Sequence, residues 1–378
     1  MVELVADPRF RANPHRAVFV HGVIDEALVQ RLTPEILRLQ AASRSPITVY
    51  IDSPGGFTWE AASLIGLLRA SNQELAPPCD LITVATRYAA SAAADLLFAG
   101  DYVIAYPNAT IHYHGVRQAE ASLTVERASM LAEHLRTTNN EYAAELAMRA
   151  DMRFFLRYLV FLRPDINDLR KESDQKEATN VDRCCDLLIE RLSEPAAALV
   201  ALARERCTKY RDLANLVFER LSGNQAKPLA ELETDILKGI LDLQGSAEST
   251  GRAWPTLAAL NEHASHLMEF LSHFLGERFQ HICEALGDLA LEVGEREHLA
   301  MLDPAAASQR KAELVTPRLL GPWSLFVALC SVLQAGENRL TPADAFWLGL
   351  VDEVLGDASM PSTRLLYESR FQQSSAGT

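Results

Sequence analysis

The stretch Thr86–Gly100, TRYAASAAADLLFAG, places one serine among small residues where an apolar strand becomes a helix. The residues before it, LITVAT, form the β-branched run typical of a buried strand. A serine at such a junction lies at a helix N-terminus, where free backbone N–H groups and the helix dipole favour developing negative charge. Ser91 is therefore a candidate nucleophile. The alternative is that it is an ordinary helix cap.

Strand and helix patterns alternate on both sides of this stretch. The apolar runs AVFV, ITVYID, YVIAY and ATIHYH are each typical of a strand. Between them, Leu28, Leu32, Ile36 and Leu39 recur at helical spacing after the capping residue Asp25. Strands that alternate with helices predict an α/β fold with a parallel sheet covered on both faces.

The pattern becomes continuously helical after about residue 122 and returns to a helix and an apolar strand at 340–356. The residues between are amphipathic helices separated by loops rich in Gly, Pro and Ser. We therefore predict three segments. Residues 1–150 form the first part of an α/β core, 151–315 form an all-α insertion, and 316–378 form the second part of the core with a polar tail.

Composition excludes several classes of function. The chain of 378 residues has a formal net charge of −14 and no run of basic residues, which disfavours binding to nucleic acid or to anionic membranes. It shows neither a secretory signal pattern nor an apolar run of about 18 residues, so a cytoplasmic location is expected. The six cysteines have no metal-ligand spacing, which predicts reduced, buried thiols and no metal or cofactor.

Two further motifs carry chemistry. Ser53-Pro54-Gly55-Gly56 directly follows a predicted strand, and its glycines allow a ligand to approach the bare backbone. The alternative is a simple tight turn. His112 and His114 lie two residues apart in a strand pattern and so project from the same face. Either one can serve as the base for a serine hydroxyl, and the spacing does not decide which one is instead a packed residue.

In order, several of these segments resemble ClpP, the proteolytic subunit of the Clp protease family, which has a crotonase-like fold. The resemblance lies in the stretches AVFVHGVIDEALVQRLTPEILRLQ, ITVYIDSPGGFTWEAASLIGLLRA, ATRYAASAAADLLFAGDYVIAYPNATIHYHG and RLTPADAFWLGLVDEVL. It covers about residues 16–149 and 323–355. It implies a ClpP-like β-α superhelical fold that the helical insertion interrupts.

The resemblance also implies roles for particular residues. Ser91 is the expected nucleophile, His114 the base, and Gly56 and Ala92 the donors of the oxyanion-hole amides. Glu337, expected on a helix, stands where the family has the aspartate of the triad, and Arg87-Tyr88 stands where it has Gly-Gln.

The expected activity is hydrolysis of peptide bonds by a serine peptidase. Its expected partners are a peptide or unfolded protein substrate, further copies of the chain, and an ATPase unfoldase or adaptor. Two other classes stay open. One is a catalytically inactive scaffold whose insertion binds a partner, and the other is an acyl-CoA hydratase or isomerase of the wider crotonase group.

Overall fold

The computed structural model describes residues 10–70, 77–117, 124–158, 181–207, 277–291, 293–357 and 359–360. The predicted strands and helices of the first 115 residues are present. The strands are β1 (Ala17–His21), β2 (Ile47–Ser53), β3 (Leu81–Ala90), β4 (Tyr102–Ala105), β5 (Thr110–Tyr113), β6 (Asn338–Leu340) and β7 (Glu353–Val354). The helices are α1 (Glu26–Ala42), α2 (Thr58–Arg69), α3 (Ala92–Phe98), α4 (Val125–Arg157), α5 (Val181–Ile189), α6 (Glu277–Leu286), α7 (Val293–Ala300), α8 (Pro304–Gln334) and α9 (Pro342–Trp347). A further helical stretch covers 194–207.

The sheet is dominated by parallel pairs, which confirms the predicted mixed α/β fold. Its main order is β1-β2-β3-β4-β7, with every neighbouring pair parallel. β3 is long enough to take a second partner, so that β4 pairs with its first half and β5 with its last three residues. β6 pairs antiparallel with β5.

Local sequence explains why these elements form. The Asp25 side chain accepts the Leu28 N–H at 2.9 Å and so caps α1, whose apolar residues are buried at helical spacing as predicted. β2 and β3 are buried along most of their length, as expected for strands covered on both faces. Thr341 and Asp344 form a capping box at the start of α9.

Two long helices cross the predicted segment boundaries. α4 is continuous across residues 150 and 151, and α8 is continuous across 315 and 316, with a bend of 48° between Thr316 and Arg318. Pro317 lies at this bend and lacks the N–H that a straight helix would use. α4 and α8 pack against each other, so in the described residues the core and the start and end of the predicted insertion share two helices.

Within the described ranges no single helix is both long and apolar enough to span a membrane. The two halves of α8 have the required length and apolarity only when they are taken together, and a bend separates them.

Buried arginines join α4 to the C-terminal part of the core. The Arg153 Nε donates to Asp352 Oδ1 at 3.0 Å, and the other oxygen of that carboxylate accepts the Val103 N–H at 2.8 Å. The Arg157 guanidinium lies 3.8 Å from the ring centre of Phe346 and donates to backbone carbonyls of residues 346 and 351. The two buried guanidinium groups thus find carbonyl and carboxylate acceptors, which lowers the cost of burying their charge.

Asp151 differs from these residues because neither of its buried carboxylate oxygens has a hydrogen-bond partner among the described residues. Burial raises the pKa of this carboxyl well above its ordinary value of 3.8. Its surroundings include the buried thiols of Cys184 and Cys330, whose pKa values are raised by burial and further by Asp151. The folded state therefore favours the neutral carboxylic acid.

We predict that Asp151→Asn stabilises the protein at neutral pH. The unfolded chain ionises Asp151 above pH 3.8 while the folded chain resists ionisation, so this residue's contribution to stability falls as pH rises from 3.8 towards the raised pKa. The asparagine side chain cannot ionise, so the variant does not lose this stability as the pH rises. Its free energy of unfolding should exceed that of the wild type by about 1 kcal/mol or more near pH 7 and differ little from it near pH 3.5.

Urea unfolding at several pH values measures this difference. Asp288→Asn, at an exposed carboxylate paired with Lys311, serves as the control and should change stability by less than about 0.5 kcal/mol. A lower stability of Asp151→Asn at neutral pH would show that the ionised carboxylate is stabilised in the folded protein.

Candidate active site

Ser91 occupies a strained turn between β3 and α3. Its backbone has φ 56° and ψ −132°, and it is the only non-glycine residue with positive φ in the described part of the chain. Such a conformation costs about 1–3 kcal/mol and persists only where neighbouring contacts enforce it. Here the Ser91 N–H donates to the His112 carbonyl at 2.9 Å, and the Ser91 carbonyl accepts the Ala94 N–H at 2.8 Å. The turn leaves the hydroxyl without a hydrogen-bond partner among the described residues.

Gly55 packs directly on this turn. A Cβ at Gly55 would lie 2.5 Å from the Ala90 carbonyl oxygen and 2.7 Å from the Ser91 Cβ, and its φ of +93° also disfavours any side chain. Its own N–H is bound by the Ser53 hydroxyl at 3.0 Å. The loop after β2 can therefore approach the serine only because this position is glycine.

Gly56, which follows the residue packed on Ser91, and Ala92, which follows Ser91 itself, each have a backbone amide free of hydrogen bonds in the described residues. Gly56 forms a parallel bridge with Ile24 through the Gly55 carbonyl and the Phe57 N–H, so its own N–H lies on the opposite edge. Ala92 is the first residue of α3, where an N–H has no partner within the helix. Neither amide donates a hydrogen bond within the described ranges. This arrangement can stabilise an oxyanion formed at Ser91.

His114 directly follows β5 and is partly exposed. Its Nδ1 lies 2.8 Å from the Gly115 carbonyl oxygen, a contact that suits the tautomer with the proton on Nδ1. In that tautomer Nε2 carries the lone pair and can accept a proton. No hydrogen bond joins His114 to Ser91 in the described part of the structure, although β3 and β5 bring the two residues to the same end of the sheet.

His112 is the packed member of the histidine pair. Only 8% of the residue is exposed, and its Nδ1 lies 3.2 Å from the Tyr88 hydroxyl. Burial lowers the pKa of His112, and the nearby His114, Arg339 and Arg117 lower it further. The ring is therefore neutral near pH 7.

Glu337 lies in the turn between α8 and β6, so the prediction that a helix carries it is wrong. Its side chain is 59% exposed. Oε2 lies 3.1 Å from the Nε2 of His112 in a poorly aligned contact, and Oε1 pairs with Arg117. The structure thus brings Glu337 to the two histidines but pairs it with His112 rather than with His114.

Sequence reasoning did not identify β6 or the polar partners Tyr88 and Arg117. Tyr88 reaches His112 because the β2–β3 register shifts, with Ile51 opposite Ala85 but Ser53 opposite Ala89. The extra residues of β3 at this irregularity include Arg87 and Tyr88. A strand pattern alone carries no signal for such a shift, and β6 has only three residues.

Two exposed aromatic rings follow Gly56 in the chain. Phe57 and Trp59 stack with their centroids 4.7 Å apart and are 49% and 62% exposed. Rings of this size that remain open to solvent form an apolar surface next to the free amide of Gly56.

Replacing Gly55 by alanine tests this packing. We expect Gly55→Ala to lower the free energy of unfolding by about 1–3 kcal/mol, because the new methyl group overlaps Ala90 and Ser91 and the backbone stays at positive φ. Gly66→Ala is the matched control, since its Cβ would meet nothing within 4 Å in the interior of α2 and should stabilise the helix by about 0.5–1 kcal/mol. Equal thermal stability of the two variants would contradict the close approach at Gly55.

The sequence profile of the Clp protease family matches residues 3–151. This range includes Ser91, His114, Gly56 and Ala92, whereas Glu337 lies outside it. No curated protein matches the chain.

Proposed function

We propose that the chain is a ClpP-like serine peptidase that hydrolyses peptide bonds through an acyl-enzyme, and the match of residues 3–151 to the profile of the Clp protease family supports this proposal. The observation that carries the proposal is the strained turn at Ser91, with Gly55 packed against it and the unbonded Ala92 amide directly after it. The hydroxyl of a serine used only as a helix cap would accept a hydrogen bond from the first turn of its helix, and the Ser91 hydroxyl accepts none there.

The reaction has two acyl-transfer steps. The Ser91 Oγ attacks the peptide carbonyl carbon while the Nε2 of His114 takes the hydroxyl proton. The amides of Gly56 and Ala92 donate to the resulting oxyanion. The C–N bond then breaks as His114 gives the proton to the leaving amine. Water, deprotonated by His114, attacks the acyl-enzyme, and His114 returns this proton to Ser91.

Glu337 is the proposed acid of the triad. A carboxylate at the Nδ1–H of His114 would hold the imidazole in the required tautomer and stabilise the imidazolium. In the described structure the Gly115 carbonyl occupies that position. The role of Glu337 therefore requires its carboxylate to move from His112 to His114.

The proposed substrate is a peptide or unfolded protein. An extended chain next to Gly56 would pass the stacked rings of Phe57 and Trp59, which favour apolar side chains. The net charge of −14 disfavours strongly acidic substrates, nucleic acid and anionic membranes. A cytoplasmic location is a separate part of the proposal. An ATPase unfoldase or adaptor is the proposed source of unfolded substrate.

An inactive scaffold is the second candidate function. Two observations favour it: Ser91 is not hydrogen bonded to His114 in the described structure, and Glu337 is paired elsewhere. Such a protein would act through a partner bound to its helical segment. It would keep its biological effect when Ser91 is replaced, whereas a peptidase would lose it.

The prediction that separates the two functions uses a fluorophosphonate probe, which reacts with activated serine hydroxyls. We expect labelling of the wild type and only background labelling of Ser91→Ala, because the probe bonds to the Ser91 Oγ. His114→Gln should lower the labelling rate by about 100-fold or more because the base is lost. Ser63→Ala, at an exposed hydroxyl bonded to the Trp59 carbonyl, is the control and should label like the wild type. Equal labelling of wild type and Ser91→Ala would remove the peptidase proposal.

Homo-oligomerisation is a further part of the proposal. Several large apolar side chains are more than 45% exposed, and they are Phe19, Val23, Phe57, Trp59, Val125, Met130 and Met301. Association of copies would cover part of this surface.

We expect light scattering to give a mass that is a multiple of the 41.7 kDa chain and stays constant over a tenfold dilution in the micromolar range. A mass of one chain throughout that range would contradict the oligomer.

A further inference from the structure

The carboxylate of Glu337 is held by two residues that the catalytic cycle does not use. Arg117 pairs with Oε1, and the His112 Nε2 lies 3.1 Å from Oε2. The neutral imidazole can offer only a weak, poorly aligned contact, so the arginine provides the charge that attracts the carboxylate.

The segment that carries Arg117 is anchored beside the two histidines. The Val116 N–H donates to the Asn139 Oδ1 of α4 at 2.8 Å. A Cβ on Gly115 would lie 2.6 Å from the Gln334 carbonyl oxygen, so this residue is packed against α8 as well. The anchoring fixes the backbone from which Arg117 reaches Glu337.

The Glu337 side chain is long enough to reach either of the two imidazoles. The ring centroids of His112 and His114 are 5.7 Å apart, and the largely exposed glutamate side chain has three rotatable bonds. At His114 the carboxylate would replace the Gly115 carbonyl, a neutral acceptor, and make the stronger, charge-assisted hydrogen bond.

We propose that His112 and Arg117 form a latch that holds the Glu337 carboxylate away from His114, and that opening this latch completes the catalytic triad. The inference rests on the proposed peptidase function. In it, His112 and Arg117 are positioning residues that act through Glu337 and do not touch the substrate.

The exposure of the ion pair sets the strength of the latch. The Arg117 and Glu337 side chains are 64% and 59% exposed, and exposed pairs contribute about 0–1 kcal/mol. A latch of that strength is easily opened and changes the rate by at most about fivefold. Salt screens an exposed pair, so raised ionic strength should also open it.

The pH profile reports where the carboxylate lies. The groups around the histidine pair are Tyr88 from β3, Arg339 from β6, Arg117 and Glu337. Because a carboxylate next to an imidazole favours the imidazolium, labelling should require a higher pH when Glu337 lies at His114. The acid limb of the labelling profile, where His114 must be neutral, then moves to higher pH.

The test is a double-mutant cycle in the full chain, with fluorophosphonate labelling measured against pH. We expect Arg117→Gln to label about two to five times faster than the wild type and to move the acid limb to higher pH. Adding Glu337→Gln to this variant should cancel both effects. Glu337→Gln alone should lower the wild-type labelling rate by less than the two- to fivefold gain of Arg117→Gln. Arg310→Gln, at an exposed arginine paired with Glu313 in α8, is the control for loss of a surface charge and should match the wild type.

Two results would overturn the latch. One is a slower rate in Arg117→Gln, and the other is a gain that persists in the double variant, since loss of an arginine charge alone would act without Glu337. Raised salt should accelerate the wild type and leave Arg117→Gln unchanged, and equal salt effects would count against the latch.

NMR spectra of the His114 ring in a Ser91→Ala background separate failure of the latch from failure of the peptidase proposal. Arg117→Gln should shift the Nδ1 and Hδ1 signals of His114 only when Glu337 is present, because the carboxylate then replaces the Gly115 carbonyl as the acceptor, whether or not the wild type reacts with the probe. A shift of the same size in the Glu337→Gln background would exclude the latch.

Discussion

The hydrogen bond from the Ser91 N–H to the His112 carbonyl is the constraint on which the candidate site depends. It is the last link in the pairing of β3 with β5, which begins at Tyr88 opposite Thr110. Because of this link, the chain turns sharply at Ser91 and the histidine strand ends next to it. The strained backbone conformation of Ser91 is maintained only while β5 occupies this position.

The position of β5 depends in turn on parts of the chain that are far away in sequence. β6 pairs with it antiparallel and places Arg339 opposite His112. The segment after β6 is held in the core by Arg153 and Arg157 of α4, which bind the carboxylate and carbonyls of residues 346–352. The buried arginines therefore help to bring Glu337 within reach of a site built from the first 115 residues. An insertion between α4 and α8 is compatible with this, since both helices remain continuous into the core.

Much of this arrangement could be predicted from sequence because it follows from local pattern. Apolar runs separated by helical spacing gave the parallel sheet, and small residues around Ser91 gave the strand-to-helix turn. The position of Glu337 could not be predicted, because β6, the strand that follows it, has only three residues and no periodicity. The contact between Tyr88 and His112 could not be predicted either, because the register shift in β3 leaves no pattern in the sequence. The division at residues 150 and 315 stays a prediction, since a helix that continues across such a boundary keeps the same apolar spacing on both sides. The roles of Ser91, His114, Glu337, Gly56 and Ala92 stay predictions.

The contrast between the two histidines follows from their surroundings. His112 is buried near two arginines, and burial and positive charge both favour its neutral form. A neutral ring attracts a carboxylate only weakly, so His112 alone would bind the Glu337 carboxylate weakly. His114 is more exposed and would become an imidazolium during acyl transfer, when its attraction for the carboxylate is greatest. In the proposed acyl transfer, the charge that develops on His114 would favour movement of Glu337 towards it, whereas the observed position of the carboxylate is set mainly by its ion pair with Arg117.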